Sequence, residues 1–535
     1  MEFGPCPTRE AQGAILAHSV RTADRVFKKG HVLGADDLVA IRRAGIDELV
    51  IARLGDSDVP ESLAAKRISE KLAGTNVRVG APFTGRANVY SEVDGLTLLD
   101  AEAIDALNQI DESITVATLA PFERVIPRQI LATIKIIPFA APEKVVQEAE
   151  RLLANGPILS VAPFIPRKVA TIITRHQETR PALLDKTRAA IATRIHRIGS
   201  ETTLEREVAH SAEVLAPLLQ EAARENDLVL IFGASAITDR RDVIPLAIEQ
   251  AGGTVVHFGM PVDPGNLLLV GKLDGADIIG LPGCARSPKL NGFDLVLWRL
   301  AAGLPVGPKE IAAMGVGGLL TEIPLRPQPR DEPHQHLAPR IAAIILAAGA
   351  SMRMGNNKLL TKLNDVPMVR KVVAAASASA AEPVIVVTGN ESAMVRDALA
   401  GCNARLVDNP EFASGLSSSL RRGLSAVPPD CDGVIVLLGD MPEVDAALVD
   451  KLIAAFDPEE DRAICAATRH GKRGNPVLFA RRFFAEIQTI EGDVGARGLI
   501  GAYPDLVCEV EADSDAPLID IDTSEDLAAY RKERG

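Results

Sequence analysis

The stretch that decides the fold is Ile345–Leu360, which reads ILAAGASMRMGNNKLL. An apolar strand runs into a loop that contains Gly349 and Gly355. Two cationic side chains, Arg353 and Lys358, belong to the same loop. Small residues let backbone N–H groups approach an anion closely, and fixed positive charge suits phosphate oxygens. The spacing is neither a Walker A loop nor GxGxxG, and it predicts a phosphate-binding loop at the end of a strand.

Apolar runs alternate with helical patterns along the rest of residues 341–535. Strands are predicted at Ala342–Ala347, Val384–Thr388, Val434–Leu438 and Ile464–Ala467, and helices at Val369–Ala380, Leu416–Ala426 and Ala446–Ala455. Strands that are apolar on both faces and separated by helices indicate a parallel sheet covered on both sides. Residues 165–321 repeat this pattern, with strands predicted at Val169–Thr174, Leu228–Phe232, Thr254–Phe258 and Ile278–Leu281 and a helix at Val243–Gln250. We therefore predict an α/β protein with two three-layer, parallel-sheet domains.

The remaining segments complete the predicted domain organisation. Residues 322–340 contain five prolines and no apolar period, which predicts a Pro-rich linker between the two domains. Residues 1–164 are less regular and form a predicted accessory region. Within it, GHVLGADDLVAIRRAGIDELVIA reads as a turn, a helix and a strand.

Composition restricts the classes of function. Of 535 residues, 47% are hydrophobic and 24% charged, which is typical of a folded globular protein. The net charge of −13 and the 3% aromatic content argue against a nucleic-acid-binding protein. Six scattered cysteines indicate a reducing compartment. The apolar runs reach about ten residues, against ~20 for a membrane span, and no signal peptide is predicted. We expect a cytoplasmic protein with small-molecule substrates and neither a nucleic-acid nor a membrane partner.

Acidic residues follow two of the apolar stretches in the C-terminal part. Asp440 comes directly after the strand VIVLL, so it should lie at the carboxyl edge of the sheet, where ligands bind. A carboxylate there suits Mg²⁺, although a helix cap is an equal interpretation. Asp520 and Asp522 flank Ile521, so on a strand both point the same way. Asp522 is thus a candidate second metal ligand, and an acidic start of the last helix is the competing explanation.

Six motifs in order resemble those of one enzyme family: LAAGxSxRMGxxK, VDNPEFASGLSSSL, LLGDMP, RGNPVLF, GDVGAR and DIDTSED. Together they resemble the molybdenum cofactor cytidylyltransferases, which belong to an NTP-transferase group with a glycosyltransferase-A-like fold. The resemblance covers nearly all of residues 341–535. It implies transfer of CMP from CTP to the terminal phosphate of molybdopterin, with release of pyrophosphate and with Mg²⁺ as cofactor.

The same resemblance implies roles for single residues. Arg353 and Lys358 stabilise phosphate charge, and Asp440 holds Mg²⁺, together with Asp522. Related guanylyltransferases typically carry two glycines where this chain has Ala348-Gly349, so the family pattern favours CTP. Implied nucleotide contacts are Ala347, Ala348, Gly349, Ser351, Gly355, Asn409, Ser417 and Ser418, and implied contacts to molybdopterin are Asp493 and Arg497.

A second resemblance concerns the front of the chain. LVLIFGASAITDRRDVIPLAIEQAGG and IIGLPGCARSP each place a glycine loop at a strand end, and both loops should meet at one sheet edge. The pattern over about 165–320 resembles the molybdopterin-binding domain of molybdopterin adenylyltransferases and molybdotransferases. Residues 11–75 resemble the accessory parts of molybdotransferases. Implied molybdopterin contacts are Gly233, Ser235, Asp242, Pro282 and Gly283. A scaffold whose glycines serve tight turns is the other interpretation.

Other functions stay open at this point. One is a sugar-phosphate nucleotidylyltransferase, and another is a glycosyltransferase that uses Asp520-Ile521-Asp522 as its metal motif. A third is a non-catalytic molybdopterin carrier. A client molybdoenzyme or its chaperone is a further partner that the leading interpretation suggests.

Overall fold

The computed structural model describes residues 1–23, 25–177, 181–320, 338–349, 357–458, 461–490, 492 and 496–534. Most of the predicted linker, residues 321–337, therefore lies outside the described residues. Within the described ranges, no helix combines the length and apolar character needed to cross a membrane.

The first 53 residues form a small unit with its own core. Strand β5 pairs antiparallel with both β1 and β2, and Leu16, Phe27 and Ile41 are fully buried beside them. The helix and strand predicted in the GHVLGADDLVAIRRAGIDELVIA stretch are confirmed. The elements are β1 (Glu2–Pro7), β2 (Ile15–Leu16), β3 (Val20–Arg21), β4 (Val26–Phe27), α1 (Ala35–Arg43) and β5 (Glu48–Arg53).

Residues 58–163 form a second unit around a separate core. Its main sheet is antiparallel, in the order β10-β12-β8-β7, and helix α2 packs on β8 and β12. The predicted accessory region thus contains two hydrophobic cores. The elements are β6 (Asp58–Pro60), α2 (Glu61–Leu72), β7 (Val77–Val79), β8 (Arg86–Ser91), β9 (Gly95–Leu99), α3 (Ala101–Asn108), β10 (Ile114–Thr118), β11 (Arg124–Val125), β12 (Ile130–Ile136), β13 (Ala140–Pro142), α4 (Glu143–Leu152) and β14 (Leu159–Pro163).

The third unit is built on a six-stranded sheet in the order β16-β15-β17-β20-β19-β18, with an apolar core on each face. The elements are β15 (Lys168–Arg175), α5 (Pro181–Arg197), β16 (Glu201–Ala209), α6 (Ala212–Glu225), β17 (Leu228–Phe232), α7 (Val243–Gln250), β18 (Thr254–Phe258), β19 (Leu269–Leu273), β20 (Ala276–Leu281), α8 (Gly292–Ala301) and α9 (Pro308–Ala312). Strand β19 is antiparallel to its neighbours, so the predicted all-parallel sheet is wrong here.

The C-terminal unit is built on a seven-stranded sheet in the order β25-β24-β21-β26-β28-β27-β29. The elements are β21 (Ile341–Ala347), β22 (Lys362–Leu363), β23 (Val366–Pro367), α10 (Met368–Ser377), β24 (Val384–Thr388), α11 (Ser392–Ala398), β25 (Arg405–Asp408), α12 (Leu416–Leu424), β26 (Gly433–Leu438), α13 (Ala446–Ala455), β27 (Ile464–Arg469), β28 (Lys472–Ala480), α14 (Phe484–Ile487), α15 (Arg497–Ala502), β29 (Val507–Glu511) and α16 (Ser524–Arg534). Strand β28 is antiparallel to both neighbours, so this sheet is also mixed.

The two antiparallel strands, β19 and β28, are each joined to a neighbour in the sheet by a two-residue hairpin turn. Asp274-Gly275 joins β19 to β20, and His470-Gly471 joins β27 to β28. All four turn residues have positive φ, between 48° and 90°. Such turns match the twist of a hairpin. The Asp-Gly pair was therefore a hairpin signal that the parallel prediction overlooked.

Contacts also join the front units to the C-terminal sheet. The Lys28 ammonium donates to the backbone oxygen of Val507 at 2.6 Å. Arg128 donates through its guanidinium to the backbone oxygen of Ala338, and the backbone N–H of Ala338 donates back to Arg128 at 2.7 Å. The C-terminal unit is thus docked on the front of the chain, and the segment 321–337 is not their only connection.

Helix α12 lies unusually close to the C-terminal sheet at Gly423. A Cβ there would come within 2.6 Å of Ile344 Cγ2 and 2.9 Å of Val387 Cγ2. We predict that Gly423→Ala destabilises the unit by about 1–2 kcal/mol, because overpacking outweighs the gain of ~1 kcal/mol in helix propensity. Hydrogen–deuterium exchange of the β21 and β24 amides should become faster. Gly501→Ala, on α15 with open space around it, should not have this effect. Equal exchange in both variants would contradict the close packing.

Candidate functional site

Asp440 stands where the sequence predicts it, at the carboxyl edge of the C-terminal sheet. Strands β21 and β26 run parallel with Leu346 opposite Leu438, and the N–H of Gly439 donates to the backbone oxygen of Leu346 at 3.0 Å. A Cβ on Gly439 would come within 3.1 Å of that oxygen and of the Leu359 side chain. Glycine therefore allows the chain to turn tightly here, which brings Asp440 up against the residues that follow β21.

The Lys358 ammonium lies between two carboxylates. Its Nζ is 2.6 Å from Asp440 Oδ2 and 2.5 Å from Asp522 Oδ1. The Lys358 and Asp440 side chains are only 14% and 18% exposed, whereas that of Asp522 is 43% exposed. Burial acts to lower the pKa of Lys358, but the two carboxylates outweigh it and raise that pKa above its ordinary value. The lysine is consequently a fixed positive charge at neutral pH.

The segment 520–522 is held against the Asp440 loop by its backbone. The N–H of Ile521 donates to the backbone oxygen of Asp440 at 3.1 Å, and the Ile521 side chain is buried. These residues are not in a strand, so the strand geometry expected for Asp520 and Asp522 is wrong. Burial, together with the nearby Asp522 and Asp440 carboxylates, raises the pKa of Asp520. The start of α16 is capped by Thr523, whose hydroxyl accepts from the N–H of Asp526 at 3.1 Å, and the Asp526 carboxylate accepts in return from the N–H of Thr523 at 2.7 Å.

One oxygen of Asp440 fits a metal ion. Its Oδ1 is buried and has no hydrogen-bond partner among the described residues. An unmet buried acceptor costs about 1–3 kcal/mol, which a bound cation would offset. Mg²⁺ prefers such hard oxygens and shares its coordination with phosphates and water. The described residues contain no ready cluster of three or more His, Cys, Asp or Glu side chains, so the protein would supply few of the ligands.

The predicted phosphate loop is described only in part. Ala347 and Ala348 are buried, and Gly349 is exposed with open space around its α-carbon. The backbone oxygen of Ala348 accepts from the N–H of Asn390 at 3.3 Å. The expected contacts from Ser351, Arg353 and Gly355 lie outside the described residues.

Asn409, Ser417 and Ser418 are brought together at the start of α12. The Asn409 amide donates to the hydroxyls of Ser418 at 2.9 Å and Ser419 at 3.0 Å. Its side-chain oxygen accepts from the N–H of Glu411 at 3.0 Å. The side chain of Asn409 therefore holds residues 409–419 together through internal hydrogen bonds.

Ser417 differs from its neighbours. Its hydroxyl is buried and has no partner among the described residues, and its N–H donates to the backbone oxygen of Gly492 at 3.2 Å. That bond joins two of the sequence motifs. Asp493 lies outside the described residues, and Arg497 is exposed at the start of α15.

A second group of polar residues lies at the carboxyl edge of the third unit. The Ser235 hydroxyl is 3.1 Å from His210 Nε2, and His210 Nδ1 is 2.8 Å from the Thr174 hydroxyl. Burial and the nearby His176 lower the pKa of His210, although Asp242 acts in the opposite direction. The sequence analysis missed His210 and Thr174. Thr174 ends a predicted strand, so its position at this sheet edge was available from the sequence, whereas His210 follows β16, which was not predicted.

The other predicted residues of this edge have structural contacts of their own. A Cβ on Gly233 would come within 2.6 Å of the backbone oxygen of Ser235, so the turn requires glycine. The Asp242 carboxylate caps α7 and accepts from the N–H groups of Thr238 and Val243. Pro282 and Gly283 follow β20, next to β17, so both glycine loops do meet at one edge.

Near that edge lies an arginine that the sequence analysis did not single out. The Arg286 guanidinium lies over the Phe232 ring, 4.6 Å from its centroid, and donates to the Thr187 hydroxyl at 3.3 Å. Burial lowers the pKa of Arg286. Among the described residues it has no carboxylate within salt-bridge distance, which suits an anionic ligand.

Two family models match separate parts of the chain. Residues 343–507 match the MobA-like NTP transferase domain, and residues 5–53 match a domain of unknown function, DUF8806. The second match coincides with the small unit formed by the first 53 residues. The match to this domain of unknown function gives no information about molybdopterin binding.

Curated relatives match about a quarter to a third of the chain. The purine catabolism protein PucB of Bacillus subtilis is 28% identical over 36% of this chain and 98% of its own length. The nicotine blue oxidoreductase of Paenarthrobacter nicotinovorans is 27% identical over 35% of this chain and 95% of its own. A probable molybdenum cofactor guanylyltransferase of Nostoc is 32% identical over 26% of this chain and 66% of its own.

Among solved structures, a mycobacterial homologue of Rv0371c is 29% identical, with 36% of this chain and 96% of that chain covered and a TM-score of 0.33. The matched range contains Lys358 and Asp440, and Asp522 follows shortly after it. The C-terminal part of this chain carries a MobA-like NTP transferase domain.

Proposed function

We propose that the protein transfers CMP from CTP to molybdopterin, giving molybdopterin cytosine dinucleotide and pyrophosphate. The observation that carries the proposal is the cluster of one ammonium and two carboxylates, Lys358 with Asp440 and Asp522, at the carboxyl edge of the MobA-like domain. Nucleotidyl transfer needs this combination of positive charge for a phosphate chain and carboxylate for a divalent ion.

The chemistry is an in-line displacement at the α-phosphorus of CTP. An oxygen of the terminal phosphate of molybdopterin forms the new bond to that phosphorus, and the bond to the bridging oxygen of the β-phosphate breaks. Pyrophosphate leaves with the electron pair. Positioning and charge stabilisation suffice for this step, so no covalent enzyme intermediate is required.

Lys358 stabilises the negative charge that builds on the phosphate oxygens, since it is protonated and poorly exposed. Asp440 would hold Mg²⁺ through Oδ1, which has no hydrogen-bond partner among the described residues, with Asp522 nearby. When bound, Mg²⁺ neutralises phosphate charge.

The choice of CTP over GTP rests on the family resemblance at Ala348. Ala348 is buried, and its Cβ lies near Phe412, since both crowd the position where Gly389 would carry a side chain. The Ala348 methyl therefore packs inside the unit, and the preference for CTP is proposed from the family resemblance. The guanylyltransferase relative makes GTP the competing substrate.

The third unit is proposed to bind molybdopterin. Ser235, His210 and Asp242 offer hydrogen bonds at the same sheet edge as the loop that carries Gly283. Arg286 offers positive charge to a phosphate group near this edge. A client molybdoenzyme or its chaperone would receive the finished dinucleotide.

The direct test is an assay of the full chain with molybdopterin, Mg²⁺ and each nucleoside triphosphate in turn. We expect pyrophosphate and the cytosine dinucleotide with CTP, and little product with ATP, UTP or GTP. A guanine dinucleotide would overturn the choice of base but keep the reaction class. Product with a sugar phosphate but none with molybdopterin would favour a sugar-phosphate nucleotidylyltransferase. Absence of turnover with every triphosphate would favour a carrier.

The role of Asp440 is tested by Asp440→Asn. We expect a loss of at least ~10² in kcat, because removal of a charge-stabilising group has about this effect. Asp445→Asn is the matched control, since its side chain caps α13 by accepting from the N–H of Leu448 and asparagine caps equally well. It should retain the parental rate. Parental turnover by Asp440→Asn would show that this carboxylate is not used.

His210 should stay neutral at a pH where a free imidazole is half protonated. Its pKa is lowered in the folded protein, so the stability it contributes is present above about pH 6.5 and is lost as the pH falls toward the folded value. Histidine Cε1–H NMR titration should show this midpoint below 6.5, with the signal assigned by its absence in His210→Gln. A midpoint at or above 6.5 would contradict the burial of His210 beside His176.

A further inference from the structure

Lys358 occupies the space between the two carboxylates that a divalent ion would share. We propose that the Lys358 ammonium competes with the metal for Asp440 and Asp522, so that the metal binds well only when a triphosphate draws the lysine away. The inference rests on the proposed function and adds an order of events to it: metal and nucleotide enter together.

The competition follows from distance and charge. Each carboxylate has one oxygen within 2.6 Å of Nζ, so an ion bound by both would stand where the ammonium stands. An ion held only by the second oxygen of Asp440 would be a neighbour of that ammonium, and the like charges would repel. The low exposure of Lys358 weakens the screening of this repulsion by water and salt.

The lysine is able to give up this position by a movement of its side chain, while its backbone stays in place. Lys358 begins a short 3₁₀ helix that is anchored by the buried Leu359 and by the Asn357 side chain, which accepts from the Leu359 N–H at 3.1 Å. Four methylene groups separate its ammonium from that anchor, so a rotation of the stem moves the charge. A triphosphate provides the negative charge that compensates for leaving the carboxylates.

The backbone that carries the two carboxylates is held without the lysine. The bond from the Ile521 N–H to the Asp440 backbone oxygen does not involve any side chain, and Ile521 packs against buried Leu363 and Met368. Removal of the ammonium therefore takes away the positive charge between Asp440 and Asp522, and it leaves the backbone contacts of this segment intact.

The experiment measures Mn²⁺ binding to the full chain by the loss of the free-ion EPR signal, with and without CTP. We expect the parental protein to bind Mn²⁺ alone weakly, and at least tenfold more tightly once CTP is added. Lys358→Met should bind Mn²⁺ alone at least tenfold more tightly than the parent. Lys358→Met combined with Asp440→Asn should lose that gain, which assigns the ion to this carboxylate. Lys362→Met, at an exposed lysine on β22, is the matched control and should bind as the parent does.

The outcomes separate this inference from the function it rests on. If Lys358→Met binds Mn²⁺ no more tightly than the parent while its circular dichroism is unchanged, the competition does not exist. If the competition is observed but no dinucleotide forms from CTP and molybdopterin, the proposed reaction is wrong. The competition between the Lys358 ammonium and the metal is then still supported. If Lys362→Met gains as much Mn²⁺ affinity as Lys358→Met, the gain comes from the change in net charge alone. That result would overturn the inference.

Discussion

The contact between the Lys358 ammonium and the carboxylates of Asp440 and Asp522 is the constraint around which the C-terminal edge is organised. One positive charge faces two negative ones, at 2.6 and 2.5 Å, in a partly buried place. Removing one partner of such a group leaves charge that water compensates only in part. The cluster is therefore held together electrostatically, and the ammonium lies where a cation shared by the two carboxylates would bind. Among the described residues, Oδ1 of Asp440 has no hydrogen-bond partner. A cation that enters this cluster has to displace the ammonium or lie beside it, which is easier when an anion binds the ammonium at the same time.

The fold brings these three residues together from distant parts of the chain. Asp440 comes with β26 and Lys358 with the segment after β21, two strands that are parallel neighbours. Asp522 follows β29, the last strand of the sheet along the chain. The hydrogen bond from the Ile521 N–H to the Asp440 backbone oxygen holds this segment at the site. The turn after β26 is tight at Gly439, where a Cβ would come within 3.1 Å of the Leu346 backbone oxygen and of the Leu359 side chain.

The sequence predicts those parts whose physical cause is local. Strands buried on both faces, such as Val384–Thr388, are uninterrupted apolar runs and were placed correctly. Strand β16 was missed because it lies at a sheet edge, is largely exposed and reads ETTLEREVA, and with it went His210. Asp440 was found because it follows a buried strand closely, and Lys358 because it belongs to the glycine-containing loop that follows another. The bond that ties residue 521 to residue 440 has no local signal, since it depends on how the end of the chain packs.

The two proposed sites are connected more firmly than a linker would connect them. Lys28 donates to the backbone of Val507 on β29, while Arg128 and Ala338 exchange hydrogen bonds just before β21 begins. Both contacts accept through backbone oxygens at or just before the C-terminal sheet, and Arg128 also lies 3.8 Å from the Asp432 carboxylate of the C-terminal unit. For a flexible tether the effective concentration of one site at the other is set by the tether length. With docked units it is set by these contacts, and under the proposed function the molybdopterin that leaves the third unit would meet CTP at a defined distance. The first 53 residues contribute to this docking through Lys28.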